Sequence, residues 1–514
     1  MQPRGGNGNQ GQSPSGQGQH PPVAPVLHQD GSDAEVFEVV EEVDDQYREG
    51  EVTERRDTAA PACVRMCICK TSFRPRGYRL YPADRGVRRM VLCEDPDVSV
   101  ALISAVDPYP TDAGKKVVLA GFLDYFAERY GPDNVHYIKV GASSVSEFPV
   151  HLHQVPAPSR ADLLRNLAIK VSTGRASLQE AFLGSRQTGT AIANVLDQVR
   201  PELQVYDTVR MAQYASDDVA ARQICYLDDL FSERYRRMLQ ATAQFGDVDI
   251  NPLANFAQHV PARLRPLESN RVSRSALLRI ERRLVLRSEN RAARRFRRCL
   301  LVNAGEAAEL QRRTGVASDR IQAVPPLVTI SPSAGRRYAG APEFVFLGFL
   351  GLPHNEDGLQ SFLRTVWPLV LARMPQARLM VIGRGAPQRL STLIADVGES
   401  VTIEGFVPDL GESLDHAAAL INPLRFGSGI KLKVFEALGR SCPVVSTPVG
   451  AEGIASGPGT GIGIATEPAE MAELLCSLTS TETNAQLSEE AGEHFARTYS
   501  RRAVFDVYDR AFGT

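Results

Sequence analysis

A short stretch near the C-terminus of the chain combines glycines and charged residues at a spacing that suits anion binding. Gly427, Ser428 and Gly429 form a loop in which the backbone can approach a ligand closely with its amide groups free. A helix is predicted to begin a few residues later, so its positive end faces the same place. Phosphate is the usual anion at such a position.

Charged side chains follow this loop. Lys431 and Lys433, two of only seven lysines in the chain, add positive charge, and Arg425 precedes the loop. Glu436 lies one turn into the predicted helix, where its carboxylate can accept hydrogen bonds from two adjacent sugar hydroxyls. A phosphate and a vicinal diol together describe a nucleotide. The alternative is that Glu436 is simply a good helix former and that the glycines only make a turn.

The elements that must position this stretch alternate between strands and helices. Continuous apolar runs of strand length, beginning near residue 98 and again near residue 343, each lead into a glycine loop and a helix. This order predicts an α/β protein with doubly wound parallel sheets, in which ligands bind beyond the carboxyl ends of the strands. In the second half those ends include Gly348, Gly383, Phe406 and Val407.

Composition and pattern divide the chain into five parts. Residues 1–60 are rich in Gly, Gln and Pro and then acidic, which predicts a disordered tail. Residues 61–325 and 343–490 are predicted to form two Rossmann-like domains, joined by a Pro- and Gly-rich linker at 326–342. Residues 491–514 form a separate C-terminal helical segment.

Charge and hydropathy exclude several classes of protein. The formal net charge of −2 over 514 residues argues against a chain-wide basic field that would hold nucleic acid. No run of 18 apolar residues predicts a transmembrane helix, and the N-terminus lacks the apolar segment of a secretory signal. The eight cysteines are scattered, and the cluster Cys63, Cys67 and Cys69 lacks a matching second half of a metal site. We therefore expect a cytoplasmic protein.

Residues 271–298 carry eleven arginines with a helical period. A solvated helix face is one interpretation. The other is a basic surface that contacts anionic lipid at the inner membrane face, or a phosphate-bearing acceptor. Nucleic acid is not favoured, because aromatic residues scarcely interleave with the arginines. The acidic part of the tail is a candidate docking segment for a protein partner.

The string GSGIKLKVFEAL, followed by PVVSTPVGAEGI, resembles the donor-site signature of the group 1 retaining glycosyltransferases. The resemblance extends to FLGFLGLPHNEDGLQSF, VIGRG and IEGFVPDL, and more loosely to SAVDPYPTDAGKK and VYDTVRMAQY in the first half. It implies the GT-B fold, in which two Rossmann-like domains face a central cleft. The second domain would bind a nucleotide sugar, the first would bind the acceptor, and the C-terminal helix would return to the first domain.

The resemblance also implies an activity. A sugar would be transferred with retention from a nucleoside-diphosphate sugar to a polysaccharide, lipid-linked or natural-product precursor. The nucleotide sugar is a substrate, and no metal or other cofactor is expected. The Asp-x-Asp strings Asp95–Asp97 and Asp247–Asp249 are more simply explained as exposed loop acids than as metal ligands.

Individual residues take roles from the same resemblance. Glu436 corresponds to the carboxylate that holds the donor ribose, and Lys433, assisted by Arg425, to the partners of the phosphate. Many relatives carry a histidine at the end of an N-domain strand, and Arg210 or Tyr214 occupies that region here. Asp228 and Asp229 are the candidates for an N-domain carboxylate near the acceptor, and a structural helix cap is the alternative role for them. Loop and backbone contacts to the donor are implied for Gly427, Ser428, Gly429, Ile430, Phe406, Val407, Gly348, Gly383, Gly114 and Lys115.

Two other functions remain open on the sequence. A nucleotide-sugar epimerase or hydrolase of the same fold would consume the donor without an acceptor. A catalytically lapsed relative would bind nucleotide without turnover and serve as a scaffold.

Overall fold

The computed structural model describes residues 78–82, 88–92, 98–111, 113–145, 147–217, 221–244, 271–330, 335–427 and 429–513. The predicted disordered tail, the cysteine cluster at 63–69, both Asp-x-Asp strings and Ser428 lie outside these residues. No helix in the part of the chain that the structure describes is long and apolar enough to cross a bilayer.

The N-terminal half is built on a seven-stranded parallel sheet. Its order is β5-β4-β3-β6-β7-β8-β9, so the strand order reverses between β3 and β6. The strands are β3 (Val100–Ser104), β4 (Val135–Val140), β5 (His151–Val155), β6 (Leu203–Asp207), β7 (Arg222–Asp228), β8 (Arg298–Leu301) and β9 (Ile321–Ala323), preceded by an antiparallel pair, β1 (Tyr78–Pro82) and β2 (Arg88–Leu92). All five residues of β3 are buried, because helices cover both faces of a parallel sheet.

Eight helices accompany this sheet among the described residues. They are α1 (Gly114–Tyr130), α2 (Arg160–Asn166), α3 (Leu178–Phe182), α4 (Arg186–Val199), α5 (Thr208–Ala212), α6 (Phe231–Gln244), α7 (Arg271–Arg295) and α8 (Ala304–Thr314). Apolar cores lie on both faces of the sheet, one containing Phe296 and the other Phe122.

The C-terminal half repeats the same plan with six parallel strands. Its order is β12-β11-β10-β13-β14-β15, which reverses between β10 and β13. The strands are β10 (Glu343–Leu347), β11 (Arg378–Ile382), β12 (Val401–Gly405), β13 (Ala419–Asn422), β14 (Val444–Ser446) and β15 (Ile462–Ile464). The helices are α9 (Pro353–Thr365), α10 (Trp367–Arg373), α11 (Gln388–Val397), α12 (Gly411–His416), α13 (Leu432–Gly439), α14 (Pro468–Ser477), α15 (Thr481–Thr498) and α16 (Arg501–Phe512). The two doubly wound sheets confirm the predicted α/β architecture.

The last helix, α16, packs against the N-terminal sheet. The hydroxyl of Tyr125 on α1 donates to Asp509 at 2.7 Å, and Arg129 pairs with the same carboxylate at 2.7 Å. The ring of Phe512 lies edge-on to Phe122 and Phe126. The boundary placed at residue 491 falls inside α15, which remains with the C-terminal core. The segment that returns therefore begins at Arg501.

The arginine-rich helix is shorter than its sequence pattern suggests. The prediction of one helix over 271–298 is wrong at its end, because α7 stops at Arg295 and Arg298 begins β8. Residues 299–301 pair with β7 in the buried sheet. Burial of this apolar strand outweighs the helical period of the arginines before it.

Candidate functional site

A cavity of about 330 Å³ lies between the two halves of the chain. Thr111, Val117 and Gly121 line it from the N-terminal half, and Lys433 and Glu436 line it from α13. This volume is in the usual range of small-molecule sites. The loops that follow β10 and β13 meet nearby, at the reversal of strand order where ligands bind in such sheets.

The glycine loop lies directly before α13. Gly427 and Gly429 have φ angles of 138° and 75°, a region that residues with a Cβ rarely adopt. The ammonium of Lys431 donates to the carbonyl of Gly429 at 2.7 Å. Beside Gly427, an added Cβ would lie 3.7 Å from both the His354 ring and Lys431 Nζ. The loop thus meets a lysine and a histidine at the start of a helix, where free amides attract anions.

Lys433 is the second cation of this region. Its Nζ donates to Asn355 Oδ1 at 2.9 Å and lies 4.7 Å from the centroid of the Phe346 ring. Gly348, at the end of β10, leaves the space beside it, since a Cβ there would lie 3.1 Å from Lys433 Nζ. Burial, with a contribution from Lys431, lowers the pKa of Lys433 to about 7.

The neighbouring groups are shifted in the same direction. Burial lowers the pKa of Lys431 to about 8, although the carboxylates of Glu452 and Asp229 oppose the shift. Burial and the two lysines lower the pKa of His354 to about 3, so its imidazole is neutral at pH 7. An anion bound here would favour the charged forms of Lys431 and Lys433 and so raise the pKa values of both.

Glu436 is held by an arginine from the same helix. Arg440 Nε donates to Glu436 Oε1 at 2.8 Å, and Arg440 Nη2 lies 3.4 Å from Asp409. The Arg440 side chain is 2% exposed, whereas that of Glu436 is 20% exposed and lines the cavity. Arg440 therefore fixes the direction of a carboxylate that keeps acceptor capacity toward the cavity.

The remaining predicted donor contacts lie around this centre with different partners. Arg425 forms a two-pronged ion pair with Asp357 on α9. Ile430 packs against apolar cores of both halves. Phe406 is 39% exposed, with the Arg384 guanidinium 4.3 Å from its ring centroid, and Val407 is half-buried.

Gly383 has a structural reason to be glycine. Its φ is 156°, and an added Cβ would lie 1.9 Å from the carbonyl oxygen of Gly348. The turns after β10 and β11 can approach each other this closely only without a side chain at residue 383.

The N-terminal residues form a separate cluster at the reversal between β3 and β6. Gly114 begins α1, and the Lys115 ammonium on the next residue pairs with Asp207 and lies 3.4 Å from Asp228. Burial alone would lower the pKa of Lys115, but Asp207 and Asp228 outweigh it and raise that pKa. Asp228 has a φ of 69° and accepts from the Tyr226 hydroxyl at 2.7 Å.

Arg210 and Asp229, predicted to be catalytic, are bound within the N-terminal half. Arg210 Nε donates to Gln179 at 2.5 Å. Asp229 accepts from Arg234 at 2.9 and 2.6 Å, and its side chain is 2% exposed. The charge of Asp229 nevertheless acts on Lys431, directly before α13, where it opposes the lowering of that pKa.

Sequence reasoning missed three residues of the site. Arg440 lies four residues after Glu436, so i,i+4 pairing on a helix could have revealed it. His354 and Asn355 stand at the start of α9, within a string that was noted without assigning a role to them. No local signal in the sequence points to Lys115 pairing with Asp207, which is far away along the chain.

Comparison with known proteins finds a family match in the C-terminal half. Residues 341–481 match the family model described as glycosyl transferases group 1. An uncharacterized 44.6 kDa protein in the cps region of Klebsiella pneumoniae is 31% identical over 129 residues, 24% of this chain and 33% of that protein. The match thus spans about a third of the curated relative.

Solved structures resemble the whole described architecture. Sucrose-phosphate synthase from Thermosynechococcus elongatus has a TM-score of 0.51 at 13% identity, covering 80% of this chain and 98% of its own. TarM, from S. aureus, has a TM-score of 0.53 at 9% identity, covering 81% and 99%. Anabaena HepE in complex with UDP has a TM-score of 0.50 at 11% identity, covering 80% and 98%. The predicted GT-B fold is confirmed, and residues 341–481 are similar to the group 1 glycosyl transferases.

Proposed function

We propose that the chain transfers a sugar, with retention, from a nucleoside-diphosphate sugar to an acceptor that enters over the N-terminal half. One observation carries the proposal. Lys433 and Glu436 line the same interdomain cavity from α13, directly after the glycine loop. The lysine suits a diphosphate, and the glutamate suits the two hydroxyls of a ribose. The family match and the UDP complexes of HepE and TarM support it.

The charge that develops on the leaving diphosphate requires stabilisation. We assign this role to Lys433 and Lys431, together with the amides at the start of α13. Lys433, with a pKa of about 7 in the empty site, takes up a proton as the diphosphate arrives. Arg425 is oriented by Asp357 and supports the loop from the side of α9. With this supply of cations, transfer is expected to proceed without a divalent metal.

On the acceptor side, we assign Asp228 in preference to Asp229. Asp229 is buried and bound by Arg234, whereas the Asp228 side chain is 18% exposed. Lys115 and Tyr226 hold the Asp228 carboxylate at the carboxyl end of β7. A carboxylate in this position can accept a hydrogen bond from an acceptor hydroxyl.

The test is donor turnover followed by NMR, with UDP-, GDP-, ADP- and dTDP-linked sugars, in the presence of EDTA. With simple methyl glycosides as trial acceptors, wild-type protein is expected to release one nucleoside diphosphate, and the glycoside bond formed to the acceptor is expected to keep the anomeric configuration of the donor. Glu436→Ala is expected to lose most of this activity. Binding without release would favour the scaffold, and epimer formation without an acceptor would favour the epimerase.

We also propose a peripheral contact with anionic lipid through α7. Five of its exposed arginines recur at three- or four-residue spacing and so share one face of the helix: Arg279, Arg283, Arg287, Arg291 and Arg294. Sedimentation with phosphatidylglycerol vesicles is expected to be lost when Arg283, Arg287 and Arg291 are replaced by Gln. Equal sedimentation of that variant, or of wild type with phosphatidylcholine vesicles, would contradict the proposal.

A further inference from the structure

The residue that precedes the glycine loop is buried against the other half of the chain. Phe426, directly before Gly427, is 8% exposed. It packs with Ala241 and Met238 of α6, which belongs to the N-terminal sheet. Phe426 and Ala241 form a small buried cluster of their own, and Met238 packs both against this cluster and against the core of the N-terminal half.

The residues on either side of Phe426 are tied to the C-terminal half instead. Arg425 pairs with Asp357 of α9, and the Gly429 carbonyl accepts from Lys431 at 2.7 Å. The two glycines give the intervening backbone little intrinsic preference for one conformation. The shape of the loop therefore depends on contacts made by both halves.

The same face of α6 makes a second contact across the cleft. Arg237 pairs with Glu452 of the C-terminal half and donates to Glu306 of α8 at 3.0 Å. Residue 241 lies four positions after 237 and three after 238, so these residues share one side of the helix. This side of α6 lies against the donor loop and the loop after β14.

We infer that Phe426 is a positioning residue, through which α6 of the N-terminal half holds the diphosphate-binding loop in shape. The inference rests on the proposed function, since it concerns the same donor site. Phe426 touches no reacting atom. Its effect is to make the arrangement of the anion-binding amides depend on the docking of α6.

The experiment measures nucleotide binding in variants on both sides of the contact. Binding of UDP, GDP, ADP and dTDP to wild type is measured by calorimetry, and the tightest binder is then used with each variant. Phe426→Ala is expected to weaken it by about tenfold and Met238→Ala by about threefold. Phe426→Leu restores part of the loss. Leu239→Ala is the matched control, because Leu239 packs on the same N-terminal core as Met238 but is not part of the Phe426 cluster, and it leaves affinity unchanged.

A double-mutant cycle separates positioning from general destabilisation. If Phe426 acts through Met238, the double variant binds no more weakly than Phe426→Ala alone. The steady-state effect is expected in the donor KM more than in kcat, because the loop binds the donor. Wild-type affinity in Phe426→Ala, additive losses, or an equal loss in Leu239→Ala would overturn the inference while leaving the proposed function standing. A wild type that binds none of the four nucleotides would overturn both.

Discussion

Raising the pH from 7 to 8 is expected to weaken nucleoside-diphosphate binding by about tenfold. Burial lowers the pKa of Lys433 to about 7 and that of Lys431 to about 8. A bound diphosphate favours the ammonium form of both side chains and so raises both pKa values. The bound protein then holds more protons than the free protein, and the affinity must fall as the pH rises above the empty-site pKa values.

The magnitude follows from the two pKa values. Between pH 7 and pH 8, deprotonation of Lys433 in the free protein contributes about fivefold and that of Lys431 about twofold. At pH 7.5, binding takes up about one proton. This range lies above the second ionisation of a terminal phosphate, near pKa about 6, so the ligand itself changes little.

Calorimetry in buffers of different ionisation enthalpy measures the proton uptake directly, and titrations at several pH values give the slope of affinity. Lys433→Arg keeps its charge throughout this range, so its pH dependence is expected to shrink to about twofold. A flat affinity with no proton uptake in wild type would refute the reasoning. So would an undiminished tenfold slope in Lys433→Arg.

Three further predictions concern single residues. Glu436→Ala is expected to weaken nucleotide binding by at least about tenfold in calorimetry, because the ribose hydroxyls lose their hydrogen-bond acceptor. The control Glu412→Ala, at an exposed residue on α12, is expected to leave nucleotide affinity unchanged. An equal loss of affinity in both variants would contradict a specific site. Gly383→Ala is expected to lower the free energy of unfolding by about 3 kcal/mol or more in urea titrations, because the added Cβ would collide with the carbonyl oxygen of Gly348. The control Gly114→Ala is expected to stay within about 0.5 kcal/mol of wild type, because no described atom beyond its neighbours in the chain lies within 4 Å of the added Cβ. A Gly383→Ala variant as stable as wild type would show that the turn can open. Arg336→Ala is expected to lower the free energy of unfolding by about 3 kcal/mol. The Arg336 guanidinium donates hydrogen bonds to the carbonyls of residues 414 and 417 and to Asn484, and it thereby anchors the linker. An unchanged urea midpoint would show that water replaces these hydrogen bonds.

The sequence predicted the parts of the fold that local pattern determines. The apolar run over Val100–Ser104 predicts a strand covered on both faces, and the structure places this strand inside a parallel sheet. The glycine loop before α13 could be recognised because the glycines and the start of the helix are adjacent in the chain. The end of α7 could not be recognised, because the pairing of β8 with β7 determines where the helix stops and the arginine spacing continues beyond that residue.

Side-chain partners across the fold were beyond the sequence. Arg425 was assigned to phosphate, and its pairing with Asp357 joins elements that nothing local connects. Two adjacent aspartates, Asp228 and Asp229, looked equivalent until burial separated them. The packing of Phe426 against α6 depends on how the two halves are oriented, and no sequence pattern within either half specifies that orientation.

The central claim is that the cavity beside α13 is a nucleotide site, and a thermal-shift panel tests it most directly. UDP, GDP, ADP, dTDP and CMP are added without metal to wild type and to Glu436→Ala. A ligand at 100 times its Kd adds about 2.7 kcal/mol to the free energy of unfolding, which gives a measurable rise in Tm. One diphosphate is expected to raise the Tm of wild type and not that of the variant. Stabilisation of both proteins alike, or of neither by any nucleotide, would contradict it.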